Sequence, residues 1–361
     1  MFDDYFKAKR ILVTGTTGFK GAWLTLWLAE MGAEVAGIGL PPDTQPNLFT
    51  AARVEQTGRH HLGDIRDYGF VQSVLADYRP HLVMHLAAQA LVGNSYADPL
   101  YTWQTNVMGT ANLIQACRGL DSLAAVLIVT SDKCYEPLSQ ARPLTEEDRL
   151  GGRDPYSASK ACAELAASSF AASFARELPP LATARAGNVL GGGDFAKDRL
   201  APDCVRALVA DEPIVLRNPE YVRPWQYVLE PLAGYLELCR RMGRGEAAFA
   251  GHGTWNFAPD TGAQIPVREL AQKIIALWGK GTCLVRQDAF AHKETASLLL
   301  DNSKARRELG WRPILNIQDS LALTVEWYKA FFGGADAREL CLEQIGRYLD
   351  KAASAGLSWA G

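Results

Sequence analysis

Tyr156 and Lys160 stand four residues apart in a stretch with the composition of a helix. Asp154-Pro155 opens the stretch, and residues 157–174 are rich in Ala, Ser and Glu, without Gly or Pro. Side chains four apart share one helical face. A Tyr with a pKa near ~10 is a poor base at neutral pH, but a Lys ammonium one turn away in a dry site would stabilise its phenolate. The pair suits proton removal from an alcohol that loses hydride, although an ordinary helix surface has the same spacing.

Ser131, Asp132 and Lys133 directly follow an apolar run, residues 124–129. The β-branched content and short length of this run predict a buried parallel strand. Open α/β sheets bind ligands at the carboxyl ends of their strands. The strand end and the helix with Tyr156 therefore form the predicted centre of the site.

The elements that position this centre begin with a dinucleotide-binding opening. Residues 10–14 predict a strand and 22–31 a helix, and the glycines between them follow the pattern Gly-x-x-Gly-x-x-Gly. Glycines let the backbone approach a pyrophosphate, which the helix N-terminus faces. The predicted cofactor residues of this turn are Gly15, Thr17, Gly18, Phe19, Lys20 and Gly21.

Three later segments are predicted to reach the same cofactor. Asp64, after the third strand, could accept from the adenine amino group or cap the helix predicted over 66–77. The fourth strand, 81–89, ends in small residues that allow close approach to the ribose. Asn106, within a helix predicted over 98–118, either supports Lys160 or faces solvent. These segments add Asp64, Ile65, Leu86, Ala87, Ala88, Gln89 and Asn106 to the predicted cofactor residues.

The second strand, 33–39, bears on the choice between NAD and NADP. NAD enzymes usually place an acid at its end to hold the ribose 2′-hydroxyl. Here Leu40-Pro41-Pro42-Asp43 follows, so the acid is late or missing, and no Arg replaces it to pair with a 2′-phosphate. The sequence favours NAD and leaves NADP open.

Beyond residue 194 the pattern becomes loop-rich, over 195–227. Guanidinium groups bind phosphate and aromatic rings stack on bases, so Arg and aromatic residues here suit a nucleotide. A solvated loop with a core Trp is an equal alternative. The candidates are Arg199, Arg217, Arg223 and Trp225.

These patterns predict an α/β fold with a doubly wound parallel sheet (Rossmann fold) and a smaller mixed α/β lobe. The cofactor domain is predicted to span 1–190 plus 228–260, and the substrate lobe 191–227 plus 261–361. Further elements are predicted at 229–242, 266–278, 298–301, 303–309 and 317–331, with a helix and a loose end in the tail 332–361.

Composition excludes several partner classes. The 361 residues carry a net charge of −3 with a pI of about 6.1, which favours neither nucleic acid nor an anionic membrane surface. No apolar run approaches the ~20 residues that span a bilayer. The seven cysteines are scattered, and neither Cys-x-x-Cys nor zinc spacing occurs. Reduced thiols in a cytoplasm, without a metal, are the simplest interpretation.

In their order, these motifs resemble those of extended short-chain dehydrogenases/reductases that act on nucleotide sugars. Within that superfamily the chain resembles the 4,6-dehydratases over about residues 8–330. Asp132-Lys133 matches the type that acts on CDP-D-glucose, whereas the dTDP-glucose type has Asp-Glu there. The stretches that carry the resemblance are Thr17–Leu24, Gly63–Asp67, His85–Gln89, Thr105–Thr110, Thr130–Tyr135, Asp154–Ser157, Arg185–Val189, Lys197–Leu200, Arg223–Gln226 and Leu229–Leu232.

The resemblance implies a three-step reaction with tightly bound NAD. Tyr156, aided by Lys160, takes the C4 hydroxyl proton as hydride leaves, and Ser131 bonds the C4 oxygen. Lys133 then removes the C5 proton while Asp132 protonates the departing C6 hydroxyl. Hydride returns to C6 and gives a 4-keto-6-deoxy sugar, a product expected in deoxysugar biosynthesis for lipopolysaccharide O-antigen. The resemblance also adds Asn188 and Leu200 to the predicted substrate residues.

Other functions stay open at this point. The substrate could be another nucleotide hexose. A nucleotide-sugar 4-epimerase or reductase shares most motifs but lacks the Asp132-Lys133 pair, and an NAD-binding regulator has no need of the Ser, Tyr and Lys. The resemblance implies a homodimer through helices 98–118 and 157–174, whose small residues permit close approach, although the helix propensity of Ala explains them equally well.

Overall fold

The computed structural model describes residues 1–137, 142–260, 264–286 and 299–360. Its strands are β1 (Arg10–Thr14), β2 (Glu34–Gly39), β3 (Gly58–Leu62), β4 (Leu82–His85), β5 (Ala125–Val129), β6 (Leu181–Ala186), β7 (Val189–Leu190), β8 (Ile214–Leu216), β9 (Val222–Pro224), β10 (Gln226–Tyr227), β11 (His252–Phe257), β12 (Gln264–Pro266) and β13 (Cys283–Val285).

The helices surround these strands. They are α1 (Phe19–Glu30), α2 (Leu48–Ala51), α3 (Tyr68–Tyr78), α4 (Val92–Ala97), α5 (Pro99–Trp103), α6 (Gly109–Cys117), α7 (Pro155–Ser173), α8 (Leu200–Val209), α9 (Leu229–Gly243), α10 (Val267–Trp278), α11 (Ile317–Phe332) and α12 (Ala337–Ser354). Gln104–Met108 and Ala305–Leu309 form π-helical turns, and Asp132–Cys134 forms a 3₁₀ turn.

A seven-stranded sheet with the order β3-β2-β1-β4-β5-β6-β11 forms the centre, and all its neighbouring strands are parallel. Apolar residues cover both of its faces, as a parallel sheet requires. In β5, Val126 and Ile128 pack into one core cluster with α3 and α6. Leu127 and Val129 point the other way, towards α1 and α9. The predicted doubly wound fold is confirmed.

A smaller group of elements lies beyond the carboxyl end of this sheet. The pairs β7–β10, β8–β13 and β9–β12 form short two-stranded sheets. Helices α8, α10 and α11 enclose a separate apolar cluster with them. Strand β11, from the predicted second part of the cofactor domain, joins the edge of the large sheet. The exact domain boundaries stay a prediction.

Several predicted elements are wrong in detail. The stretch 195–227, predicted as loop-rich, contains α8 and three strands. The helix was missed because Pro202 argues against a helix, although proline is tolerated in the first turn, where it falls. The strands were missed because strands of two or three residues show no period. The fourth strand ends at His85 rather than residue 89. The predicted strand 298–301 begins outside the described residues.

The predicted loose end of the chain is also wrong. Trp359 is 1% exposed, and its ring stacks on Phe2 with 5.1 Å between the ring centres. The Phe2 amide donates to the Trp359 carbonyl at 2.5 Å. Two chain ends that meet in space leave no local pattern in the sequence.

Candidate functional site

The glycine-rich turn after β1 fits closely against the chain that leaves β4. Gly15 has a φ of +80°, and a Cβ atom there would lie 2.7 Å from the Ala87 amide nitrogen. A Cβ at Gly21 would lie 2.0 Å from the Gly15 carbonyl oxygen. The Thr14 hydroxyl accepts from the amides of Leu86 and Ala87 at 3.2 and 3.1 Å. These contacts place the predicted cofactor residues of both segments at one edge of the sheet.

The start of α1 completes a cradle for a dinucleotide. Gly18 stands at the helix N-cap with extended backbone, and Lys20 and Gly21 lie in the first turn. Gly39 at the end of β2 leaves room for Thr17, whose Oγ1 would lie 2.7 Å from a Cβ at residue 39. Backbone amides at a helix N-terminus bind phosphate. The residues present therefore fit a pyrophosphate. The Phe19 ring at the end of this turn lies against Gly191.

Asn106 joins the exit of β4 to α7. Its Oδ1 accepts from the Gln89 amide at 2.8 Å, and its Nδ2 donates to the Gln89 carbonyl at 3.0 Å and to Ser159 Oγ at 2.9 Å. It lies in a π-helical turn between α5 and α6, inside the helix predicted over 98–118, which is continuous over 99–117. The alternative that Asn106 faces solvent is wrong, since it is 1% exposed. Single π turns often mark functional sites.

Asp64 has a different local role from the predicted helix cap. Asp67 caps α3 and accepts from the Phe70 amide at 3.0 Å. Both oxygens of Asp64 accept from Arg66, whose Nη2 lies 2.7 Å away, and this hydrogen bonding lowers the pKa of Asp64. Ile65 is buried against Gly109. Contact of Asp64 with an adenine stays a prediction.

The turn after β5 carries the predicted acid and base. Ser131 begins it, and its Oγ accepts from the Lys133 amide at 3.2 Å and donates to Asp132 Oδ1 at 3.0 Å. Asp132 is buried, and burial raises the pKa of its carboxyl group, while Lys133 and the Ser131 hydrogen bond oppose the rise. A carboxyl group that keeps its proton to higher pH can act as a general acid.

Tyr156 and Lys160 stand on the first two turns of α7, as the sequence predicts. Burial raises the pKa of Tyr156 to about 12, and the largest opposing effect is its hydrogen bond with Ser131. Lys160 Nζ donates to the Val129 carbonyl at 3.3 Å, and burial lowers the pKa of Lys160 to about 8. The Lys160 side chain is thus buried and bonded to the end of β5, and its lowering of the Tyr156 pKa stays a prediction.

Lys20 and Arg199 extend this charged centre. Burial lowers the pKa of Lys20 to about 8, and the next largest effect is the nearby Arg199, which acts in the same direction. Asp132 opposes the shift, so a side chain of the glycine-rich turn lies within electrostatic reach of Asp132. Arg199 Nη1 pairs with Asp194 Oδ2 at 2.9 Å.

Asp132 is approached by Arg223 on β9 of the second lobe and by Gly187, which directly follows β6 of the large sheet. Arg223 is buried on β9, and its charge acts to lower the pKa of Asp132. A Cβ at Gly187 would lie 2.9 Å from Asp132 Oδ2 and 3.5 Å from Pro224 Cγ. Sequence reasoning missed Gly187, although it lies in the quoted stretch Arg185–Val189.

The remaining predicted substrate residues make contacts with other parts of the protein. Trp225 is 5% exposed and lies in the apolar cluster of α8, α10 and α11, as the alternative of a core Trp predicts. Leu200 begins α8 and packs on the same cluster. Arg217 is partly exposed and pairs with Asp198. The Asn188 carbonyl accepts from the Gln226 amide at 3.1 Å. Their roles in binding stay predictions.

No metal site or membrane span emerges from the described part of the chain. Among those residues, no group of three or more His, Cys, Asp or Glu side chains is arranged to hold a metal ion. None of the helices described is both long and apolar enough to cross a bilayer.

A glycine-rich turn after β1, a Ser at the end of β5, and Tyr and Lys on the helix that follows form the arrangement of the short-chain dehydrogenases/reductases. Residues 12–324 match the model of the GDP-mannose 4,6 dehydratase family. The chain belongs to that family.

Individual relatives agree with this assignment. The CDP-glucose 4,6-dehydratase of Salmonella typhimurium is 41% identical over 352 residues, which cover 96% of this chain and 98% of the relative. A dTDP-glucose 4,6-dehydratase of Xanthomonas campestris is 28% identical over 88% of this chain and 92% of its own length. The solved structure of DesIV, a dTDP-glucose 4,6-dehydratase of Streptomyces venezuelae with NAD bound, matches with a TM-score of 0.77 and 26% identity over 90% of this chain and 98% of that one. The predicted class, a nucleotide-sugar 4,6-dehydratase, is confirmed.

Proposed function

We propose that this protein converts CDP-D-glucose to its 4-keto-6-deoxy derivative and retains NAD as a cofactor regenerated in each turnover. The observation that carries the reaction is the position of Asp132 and Lys133, on one turn with the serine that bonds Tyr156. The 41% identity to a CDP-glucose enzyme supports the choice of nucleotide.

The proposed chemistry divides the side chains into two groups. NAD, when bound, supplies a hydride acceptor for C4 and a hydride donor for C6. Tyr156 takes the proton of the C4 hydroxyl, and Ser131 holds the C4 oxygen through the hydroxyl that also bonds Tyr156. The C4 ketone then acidifies the proton on C5. Lys133 removes that proton, and Asp132 donates its proton to the C6 hydroxyl, which leaves as water. Once C6 has taken up hydride, Lys133 returns a proton to C5.

Other residues would hold the two ligands. The turn Gly15–Gly21 and the segment 86–89 would hold NAD, since their backbones converge where added Cβ atoms would clash. Arg199 and Arg223 are suited to bind substrate phosphate because guanidinium groups make paired hydrogen bonds to its oxygens. Both arginines already influence groups of the reactive centre, Lys20 and Asp132 respectively.

The test compares nucleotide hexoses at equal concentration. Purified protein is incubated with CDP-, UDP-, GDP- and dTDP-glucose, and the ketone is measured by its ultraviolet absorbance in alkali. The cofactor is released by denaturation and identified by mass spectrometry. We expect the highest kcat/KM with CDP-glucose, and NAD in the released fraction. Absence of ketone from all four substrates would overturn the function, while a preference for another nucleotide would overturn the choice of substrate alone.

We also propose a homodimer through α5, α6 and α7, which pack side by side. Large apolar side chains of these helices and of the π turn between α5 and α6 are exposed, among them Leu100 at 73%, Met108 at 55% and Leu165 at 57%. Exposed apolar patches mark interfaces. Leu165→Glu should convert the dimer to a monomer in sedimentation velocity, whereas Leu284→Glu, on the comparably exposed β13, should leave a dimer. A monomeric unmodified protein would contradict the proposal.

The location and pathway are proposals of a coarser kind. All seven cysteines are free, five of them buried, which suits a reducing cytoplasm. A 4-keto-6-deoxy sugar nucleotide suits deoxysugar synthesis for lipopolysaccharide O-antigen. Deletion of the gene should then shorten the lipopolysaccharide seen on a gel, and an unchanged pattern would contradict this placement.

A further inference from the structure

Glu164 connects three elements beneath the reactive centre. It lies four residues after Lys160 on α7 and is 2% exposed. One carboxylate oxygen accepts from the Thr130 hydroxyl. The other accepts from the Thr183 hydroxyl at 2.7 Å and from Arg185 Nη2 at 2.8 Å. A single carboxylate thus joins α7 to the ends of β5 and β6.

Arg185 extends the network to Tyr135, which directly follows the turn 131–134 that carries Asp132 and Lys133. Its Nη1 donates to the Tyr135 hydroxyl at 2.7 Å, and that hydroxyl donates to Asn256 Oδ1 at 2.8 Å. The backbone amide of Asn256 donates to Glu146 Oε1 at 2.8 Å. The network therefore also reaches the segment that leads towards α7. Arg185 Nε has no hydrogen-bond partner among the described residues, but both of its terminal nitrogens are bonded. A buried polar network fixes the groups that it joins more firmly than isolated bonds do.

The turn with the elimination pair lies between two members of this network. Thr130 directly precedes Ser131, and Tyr135 directly follows the 3₁₀ turn Asp132–Cys134. Lys160 meets the same strand end through the Val129 carbonyl. We propose that Glu164 and Arg185 are positioning residues that hold both Lys160 and the turn 131–134 in place for reaction. This inference rests on the proposed function.

The network also affects the protonation of Tyr156 and Lys160, the pair proposed to act in C4 oxidation. The groups that act electrostatically on Lys160, or on which it acts, are Glu164 on its own helix, Cys134 after β5, His85 at the end of β4 and Lys20 at the start of α1. Burial lowers the pKa of Lys160, and Glu164 gives the largest opposing effect. A neutral side chain at 164 should therefore favour loss of the pair's proton.

Glu164→Gln tests the charge. Oxidation at C4 requires one proton to leave the pair of Tyr156 and Lys160, so its rate rises with pH through an apparent pKa of the pair. The variant should shift that rise by about one pH unit to lower pH. Glu237→Gln is the matched control, because Glu237 is also buried and bonds Arg240 at 2.8 Å, on α9. It should lower the thermal midpoint similarly and leave the pH profile unmoved.

Tyr135→Phe tests the position of the turn without changing a charge. Single-turnover absorbance of the reduced nicotinamide follows C4 oxidation, and deuterium uptake from solvent at C5 follows the elimination half. We expect deuterium uptake to slow about tenfold, since small displacements of a reacting group are costly, while oxidation changes less than about twofold. Tyr78→Phe is the matched control, since its hydroxyl donates to the Glu34 carbonyl at 2.6 Å in another part of the sheet.

The outcomes separate the two proposals. If the unmodified protein yields no ketone from any nucleotide hexose, the proposed function fails. If it does yield ketone, and Glu164→Gln and Tyr135→Phe behave like their controls, the positioning role is wrong. Should Glu164→Gln fail to fold, Tyr135→Phe decides the question by itself, because equal slowing of both steps, or of neither, would overturn the inference.

Discussion

The two halves of the site are held in different ways. Tyr156 and Lys160 stand on the 19-residue α7, whose first turn is capped by Asp154 and begun by Pro155. The elimination pair stands on a three-residue turn instead. A helix sets the spacing of two side chains by itself, whereas so short a turn takes its position from the segments around it. We therefore expect oxidation at C4 to tolerate remote substitutions better than elimination does.

Tyr156→Phe should have the largest effect, because it removes the base from the well-supported half. General base catalysis contributes about 10²–10⁴-fold, and the later steps require the ketone that this step forms. We expect ketone formation to fall by that factor, with bound cofactor and thermal midpoint unchanged. Retention of more than a tenth of the unmodified rate would show that another group takes the C4 proton.

Lys133→Ala should stop the reaction halfway. C4 oxidation should proceed while loss of the C5 proton slows by about 10²–10⁴-fold. Reduced nicotinamide should then accumulate in a single turnover, and deuterium should not enter C5 from solvent. Lys304→Ala is a suitable control, because that lysine donates to the Thr254 carbonyl on β11. Full turnover by Lys133→Ala would remove the base role and with it the division of the site into two halves.

The same contrast explains how much of the site could be predicted. Local pattern was sufficient for α7, since composition, capping residues and the four-residue spacing of Tyr156 and Lys160 all lie within one helix. The apolar run of β5 likewise predicted a buried strand with polar residues at its end. These features depend on neighbours in sequence, which a periodic pattern records.

The supports of the elimination pair could not be predicted in this way. Gly187 and Arg223 reach Asp132 from segments far along the chain. The approach of Gly187 depends on the pairing of β6 with β5, and that of Arg223 on how the second lobe folds back. The Glu164–Arg185 pair was missed for the same reason, although the distance of four residues between Lys160 and Glu164 was a visible signal. The π turn at Asn106 was missed because a helical pattern does not reveal one inserted residue.

Gly187→Ala should sharpen the comparison with an intermediate effect. The new Cβ would lie 2.9 Å from Asp132 Oδ2, so the carboxyl group or the turn must move. We expect about a tenfold loss in the elimination step, which equals ~1.4 kcal/mol, and little change in C4 oxidation. Gly346→Ala on α12 is the control, because a Cβ there meets no heavy atom within 4 Å. It should keep full activity and gain up to ~1 kcal/mol of stability. Equal losses in both steps for Gly187→Ala would contradict separate support of the two halves.

The smallest expected effect is a difference in pH dependence between the halves, of less than about tenfold per pH unit. Oxidation needs the pair of Tyr156 and Lys160 to lose one proton, so its rate should rise through about pH 8, where burial has lowered the pKa of Lys160, and then level off. Elimination needs a protonated Asp132 and a deprotonated Lys133, so its rate should pass through a maximum. Since burial raises the pKa of Asp132, its carboxyl group should stay protonated, and able to act as the acid, to higher pH than an exposed carboxyl group would. Asp132→Asn should lower the maximum rate and abolish the decline above the maximum, as measured by deuterium uptake at C5. Parallel pH profiles for the two steps would mean that one set of groups controls both.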